Sequence, residues 1–301
     1  MISPALTEAV RRIAPGVPLP DAAPPDAGRL GLAIAGIGLL VEGLSDEAHA
    51  LLSGRFAGWT RMTDHAAPIR IHVSWLDAPY RDPGLGREEE YRLEDSGLLR
   101  GRASVATRLA EPVVEAAVAR DPAFIGQEVE NVLRLVVAGR LLASGGLLLH
   151  AGAAALDQGA VVFPAASGTG KTTLVRELQT AGLEPLGDDM VALLPGTNGW
   201  TVHAVPFTGE RTLRGRSKPL TLLAVHPLRR GPGPRLEPLT GGVAAAALAN
   251  QTLGLALFPE FADTGLATAA RIVRSVPVER LHRSLGDDAA DLLRIRHGGS
   301  R

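Results

Sequence analysis

Ser167-Gly168-Thr169-Gly170-Lys171-Thr172-Thr173 packs glycines, hydroxyls and one lysine into a single short segment. It follows the apolar run Ala160-Val161-Val162-Phe163 and leads into Leu174-Val175-Arg176-Glu177-Leu178, which has helical character. A strand, a glycine loop, a lysine, a hydroxyl and a helix, in that order, suit the cradling of phosphate. Glycines let the backbone turn its N–H groups inward, and the new helix offers the positive end of its dipole. In this reading Ser167, Gly168, Thr169, Gly170, Lys171, Thr172 and Thr173 bind nucleotide. Lys171 reaches the β- and γ-phosphates and the Thr172 hydroxyl ligates Mg²⁺. The pattern G-x-x-x-x-G-K-[ST] asks for glycine at 165, where this chain has Ala165. Alanine resists positive φ, so an adapted or strained loop entrance is expected.

Three further places hold groups suited to phosphoryl transfer, which needs a carboxylate near Mg²⁺ and another near the attacking hydroxyl. Asp188-Asp189 follows the loop helix beyond Gly182, and two adjacent acids at a strand edge can divide those roles. His150 ends the apolar run Leu147-Leu148-Leu149 and would orient an aspartate or contact phosphate through one ring nitrogen. Pro206-Phe207-Thr208-Gly209-Glu210-Arg211 opens a basic loop with Arg214, Arg216 and Lys218. Glu210 is a candidate metal carboxylate, and an arginine within 211–216 would stabilise charge on the transferred group. Arg229-Arg230, Glu88-Glu89-Glu90 and Asp287-Asp288 read as surface charge. His203, His226, His282 and His297 are scattered without metal-ligand spacing.

The elements that must hold these groups are partly visible. Leu30–Val41 reads as a strand or strand pair. Ser45 reads as a helix N-cap with Asp46 and Glu47 in the first turn. Ile69–Trp75 alternates as a half-buried strand, and residues 77–90 are turn-rich. Asp121-Pro122 starts a helix that runs to Gly145-Gly146. Asp157-Gln158-Gly159 turns a hairpin into the strand before the glycine loop, and Gly182 ends the loop helix. Strands are expected at Val191–Leu194 and Leu220–Val225, helices at Val243–Leu257 and Asp288–Ile295, and a strand at Ile272–Val278. This predicts an α/β chain with a smaller N-terminal α+β domain over 1–120 and a P-loop catalytic domain over 121–301.

Composition narrows the function. The chain has 31 Lys and Arg against 32 Asp and Glu, so no basic footprint for nucleic acid is present. With no cysteine, disulfides, thiolate catalysis and Cys-ligated zinc are excluded. Leu30–Val41 is short and glycine-broken against the roughly 20 residues a bilayer span needs. Met1-Ile2-Ser3-Pro4 lacks the layout of a signal peptide. A cytoplasmic protein without membrane contact is expected.

Taken in order, His150, the glycine loop with Lys171 and Thr172, Gly182, Gly187-Asp188-Asp189-Met190-Val191 and Pro206–Glu210 resemble the catalytic domain of the HPr kinase/phosphorylase superfamily. The resemblance is strongest to the HPr-kinase-related proteins of peptide-modification clusters, including lasso-peptide kinases, and covers about residues 121–280. It implies a P-loop fold related to phosphoenolpyruvate carboxykinase, with ATP and Mg²⁺ as cofactors. It implies transfer of the γ-phosphoryl group to a serine/threonine-type hydroxyl of a peptide or protein. On this resemblance Lys171 holds phosphate and Asp188 and Asp189 supply the general base and assist the metal. His150 then supports the catalytic aspartate, and the metal set is Thr172, Asp189 and, more loosely, Glu210. Ala165 and the lack of a clear second signature depart from true HPr kinases. A small-molecule hydroxyl kinase and a non-catalytic nucleotide-binding module are the alternatives, and a homo-oligomer is compatible with the sequence. No N/T-K-x-D motif of GTPases and no L-S-G-G-Q-like motif of transporter ATPases occurs.

Overall fold

A computed structural model describes residues 2–20, 27–60, 68–76, 91–94, 98–207, 209–210, 213, 215, 218–284 and 286–298. The chain forms two compact units, Met1–Arg140 and Leu141–Arg301. No helix among the described residues is long and apolar enough to cross a membrane.

The first unit contains α1 (Pro4–Ile13), β1 (Gly28–Ile34), β2 (Ile37–Leu44), α2 (Asp46–Arg55), β3 (Ile69–Leu76), β4 (Tyr91–Glu94), β5 (Leu98–Gly101), β6 (Ser104–Thr107), β7 (Val113–Ala119) and most of α3 (Pro122–Ala143). Its seven-stranded sheet has the order β1-β2-β3-β7-β6-β5-β4. The pairs β2–β3 and β3–β7 are parallel, and the rest are antiparallel. Leu30–Val41 is a strand pair, closed by Ala35 and Gly36 at φ 48° and 80°. A two-residue turn with both φ positive matches the twist of the flanking strands. Ser45 caps α2 by accepting from the Ala48 N–H at 3.2 Å, and Asp121 caps α3 by accepting from the Ala123 N–H at 3.0 Å.

Helix α1 goes beyond the sequence expectations. Ser3 accepts from the Leu6 N–H at 3.2 Å. Leu6, Ala9, Val10 and Ile13 recur at helical spacing and bury against Leu76, Val105 and Ala117. The unit boundary also differs from the expected 120/121. Within the first unit Glu130 of α3 pairs with Arg55 of α2 at 2.6 Å, so much of α3 belongs with what precedes it. The expected turns at 77–90 and the Glu88–Glu90 run lie outside the described residues.

The second unit contains β8 (Leu147–Leu156), β9 (Gly159–Pro164), α4 (Lys171–Thr180), β10 (Pro185–Gly187), β11 (Met190–Gly196), β12 (Gly199–Ala204), β13 (Leu220–Val225), β14 (Leu228–Arg230), β15 (Arg235–Pro238), α5 (Gly241–Ala249), α6 (Ala262–Ser275), β16 (Glu279–Arg283) and α7 (Ala289–His297). Strand pairing runs β8–β11–β12–β13–β9 and returns from β9 to β8, with β10 also on β8. Only β13–β9 among these is parallel. A second, three-stranded sheet has the order β14-β16-β15. Leu174 and Leu178 of α4 and Leu293 of α7 share a core with Val161, Phe163, Ala224 and Leu281. Removing this apolar surface from water, at about 25 cal/mol per Å², holds α4 against the strands.

Two sequence expectations fail here. The helix expected to reach Leu257 stops at Ala249. The following chain pairs with β8 instead: Gln251 O accepts from the His150 N–H, and the Leu253 N–H donates to Leu148 O. The strand expected at Ile272–Val278 is mostly the end of α6, whose Gly265, Thr268, Ala269 and Ile272 bury one helical face. The β-branched run there reads as a strand only when that upstream periodicity is overlooked.

Candidate functional site

The end of β9 and the start of α4 fix the glycine loop. Gly168 and Gly170 have φ of 73° and 108°, a region costly for residues with a Cβ. Ala165 is buried and is not among the described residues with positive φ. The expected strain at the loop entrance is therefore missing, and the two later glycines carry the turn. Gly170 caps α4 without a side-chain bond, leaving first-turn N–H groups for an outside acceptor. At the other end Gly182 follows the helix with φ 87°.

Lys171 begins α4 and is buried. Its Nζ donates to the carbonyls of Ala165 at 2.8 Å and Ala166 at 3.2 Å. Burial pushes its pKa below the ordinary lysine value, opposed by the negative charges of Asp189 and Asp188. The lysine therefore sits against the loop, with both aspartates near enough to act on it.

Strand register brings His150 and Asp189 together. Met190 of β11 lies opposite His150 of β8, and the Ala151 N–H donates to Asp189 O at 2.9 Å. His150 Nε2 then lies 3.2 Å from Asp189 Oδ1, with each side chain about 30% exposed or less. Asp188, one residue earlier, is buried. Its Oδ1 accepts from the Gly209 N–H at 3.0 Å, and the Glu210 N–H approaches at 3.3 Å. Burial raises the pKa of Asp188. The Glu210 backbone and the Thr172 side chain oppose this by hydrogen bonding, and the Asp189 charge adds to it. The adjacent acids thus differ: one is buried beside Thr172, the other half-exposed beside an imidazole.

All of these groups face one cavity of about 680 Å³, lined by the loop 167–173, His150, Asp188 and Asp189. Arg230, Gly231, Arg283 and Ser284 also line it. The Arg230 guanidinium donates to Gly168 O. Arg283 donates to Glu177 of α4 at 2.6 Å. Both arginines escaped the sequence reading, which took Arg229-Arg230 for surface charge. Their strands, β14 and β16, pair in parallel, a long-range pairing with no local signal.

Glu210 lies elsewhere. Its carboxylate pairs with Arg176 and does not line the cavity; its backbone N–H is what reaches Asp188. Arg211, Arg214 and Arg216, proposed from sequence to close over the site, lie outside the described residues, as does Thr208. Asp287 and Asp288 serve local turns: Asp287 accepts from the Ser284 N–H and Asp288 from the Asp291 N–H. The histidines are not all scattered. His226 and His297 meet beside Glu279.

No family model matches the chain, and no curated protein does. Among solved structures, the Hpr(Ser) kinase/phosphatase from Coxiella burnetii is similar over 49% of this chain and 91% of that one. Identity is 13% and the TM-score 0.30. A likeness this distant carries no argument about activity, so the functional reading rests on the site's own chemistry.

Proposed function

We propose that the chain is an ATP- and Mg²⁺-dependent phosphotransferase acting on a serine/threonine-type hydroxyl of a peptide or protein, built on a P-loop domain. The observation that carries this is convergence: Lys171, Thr172, Asp188, Asp189 and His150 come from three separate stretches of sequence and line the same cavity as the glycine loop. The donor set fits the groups invoked. Left-handed glycines and an uncapped helix start suit phosphate oxygens. A buried carboxylate beside a threonine hydroxyl offers the oxygen ligands a hard cation prefers.

In this reading the loop N–H groups and Lys171 hold the phosphates, the lysine exchanging its bonds to Ala165 and Ala166 for phosphate oxygens. Thr172 and Asp188 would hold the metal, which when bound would neutralise phosphate charge. Asp189, oriented by His150, takes the proton from the acceptor hydroxyl. That hydroxyl oxygen bonds to the γ-phosphorus as the bond to the β–γ bridging oxygen breaks, and ADP leaves. Arg230 and Arg283 line the same cavity and suit the charge spread over the transferred group. Catalysis is then positioning plus electrostatics. Compared with the sequence assignment, the metal role moves from Asp189 and Glu210 to Asp188, because Asp188 is the acid bonded to Thr172.

The test is transfer of label from γ-labelled ATP to a panel of Ser- and Thr-containing peptides and proteins, with small hydroxyl metabolites in parallel. Peptide labelling that disappears with Lys171→Ala supports the reading. Labelling of metabolites alone would move the acceptor to small molecules. Labelling that survives Lys171→Ala, or nucleotide binding without transfer to any acceptor, overturns it.

A further inference from the structure

Away from the glycine-loop cavity, three chain segments of the second unit bring ligating atoms together. His226 follows the last residue of β13, Glu279 begins β16, and His297 ends α7. One ligand atom from each lies within 4.8 Å of the others. His226 Nε2 and His297 Nε2 are 2.9 Å apart. We propose that His226, Glu279 and His297 form a binding site for a Zn²⁺-type divalent metal, which fastens the C-terminal end of α7 to β13 and β16.

The chemistry of each ligand supports this. His226 is fully buried, and its Nδ1 lies 3.0 Å from the backbone carbonyl of Glu279. That carbonyl can only accept, so Nδ1 carries the proton and Nε2 keeps its lone pair. Metal-ligating histidines are fixed in the same way, by a bond from the other ring nitrogen. The lone pair faces a second imidazole nitrogen. Glu279 is held by Arg296 through contacts of 2.8–3.1 Å, which orient the carboxylate and leave lone pairs over, since two oxygens offer about four sites. His297 is half-buried, giving a path of entry.

The donor set selects the metal class. Two imidazoles and one carboxylate suit Zn²⁺ and its first-row neighbours, whereas Mg²⁺ and Ca²⁺ prefer oxygen. Tetrahedral ligation with nitrogens about 2.0–2.1 Å from the metal separates them by roughly 3.3 Å. The two Nε2 atoms must part by a few tenths of an ångström, which a residue in the last turn of α7 can supply. Three protein ligands leave a fourth position for water. The role is mechanical: α7 packs through Leu293 into the core that supports α4, and the His226 ring stacks on Phe163 of β9 at 6.2 Å between centroids.

The experiment uses the full chain, stripped with chelator and then supplied with Zn²⁺ or Co²⁺ alone. One metal per chain should survive gel filtration. Co²⁺ should give the visible absorption of a four- or five-coordinate site. Zn²⁺ should raise the melting temperature by about 5 °C. His297→Ala should weaken Zn²⁺ binding at least tenfold and abolish the shift, while Lys171→Ala should keep both. His297 is partly exposed, so its variant is the one expected to fold; melting of the stripped His297→Ala protein near that of stripped wild type checks this. Should His297→Ala fail that check, His297→Gln, which keeps most of the side-chain bulk, takes its place with the same prediction. No retained metal in wild type, or equal binding in the folded variant, would mean the imidazoles merely hydrogen-bond each other, and overturns the site. Metal content is read without turnover, so this result stands or falls apart from the phosphotransferase reading.

Discussion

Two sites, one in each unit, bury charge in different ways. In the first, Glu42 is nearly inaccessible and is surrounded by side-chain partners. Arg70 donates to both carboxylate oxygens at 2.8 and 3.0 Å, with Arg29 and His72 at 3.4 Å. Glu130 likewise sits between Arg55 and Arg134. In the second unit, Lys171 and Asp188 are buried with backbone carbonyls, backbone N–H groups and one hydroxyl as their bonding partners. At Glu42 and Glu130 the charge is met by opposite side chains, with neither acid lining the glycine-loop cavity, and it is finished as structure. A charge met by neutral dipoles, with a cavity in front of it, is held ready for something else. The pKa directions agree: Glu42 is lowered, chiefly by its hydrogen bond to Arg70, while Asp188 is raised and Lys171 lowered by burial.

The sharpest way to break this comparison is Lys171→Ala. If the second unit's charges are functional, phosphoryl transfer should fall by about 10³-fold or more, measured with labelled ATP, while the fold persists by circular dichroism. Next is Asp189→Asn, expected to lower kcat by about 10²–10⁴-fold with the KM for ATP within a few-fold, since it removes a base and not a phosphate contact. Equal loss in KM alone would make Asp189 a binding group.

Stability then separates Asp188 from Glu42 by sign. Asp188 is raised, so the folded state holds its proton more tightly than the unfolded chain. Stability therefore declines as pH climbs from the ordinary aspartate range through the folded value, and the ionised group is a cost at neutral pH. Asp188→Asn should melt no lower than wild type while abolishing transfer. Glu42 has the opposite sign. Its stabilisation is present above its ordinary value of 4.5 and is lost as pH falls through the lower folded value. Glu42→Gln should cost about 1–2 kcal/mol at pH 7, flatten the acid limb of a melting-temperature profile, and leave transfer unchanged. If Asp188→Asn destabilises as Glu42→Gln does, the distinction between finished and poised charges fails.

How much was legible followed from the range of each interaction. The loop Ser167–Thr173, the caps at Ser45 and Asp121, the hairpin at 157–159 and the apolar strands β1, β2, β3, β9, β11 and β13 are local, and residue type near each position determines them. The Ser3 cap and the spacing of Leu6, Val10 and Ile13 were equally local and show that α1 was readable too. Helix α5 was overextended because the competitor that ends it, pairing with β8, lies a hundred residues away in sequence.

The sequence by itself determined the chemistry on offer: a glycine turn, a lysine, a threonine, paired acids and an imidazole in a set order. Only tertiary structure decided who faces whom. Strand register put His150 on Asp189 and left Asp188 for Thr172; parallel pairing of β14 with β16 carried Arg230 and Arg283 to the cavity; and three distant segments brought His226, Glu279 and His297 within reach of one ion. The physical reason is the same each time. Residue type sets what a side chain can donate, accept or ligate, but its partner is chosen by burial and register summed over the whole fold.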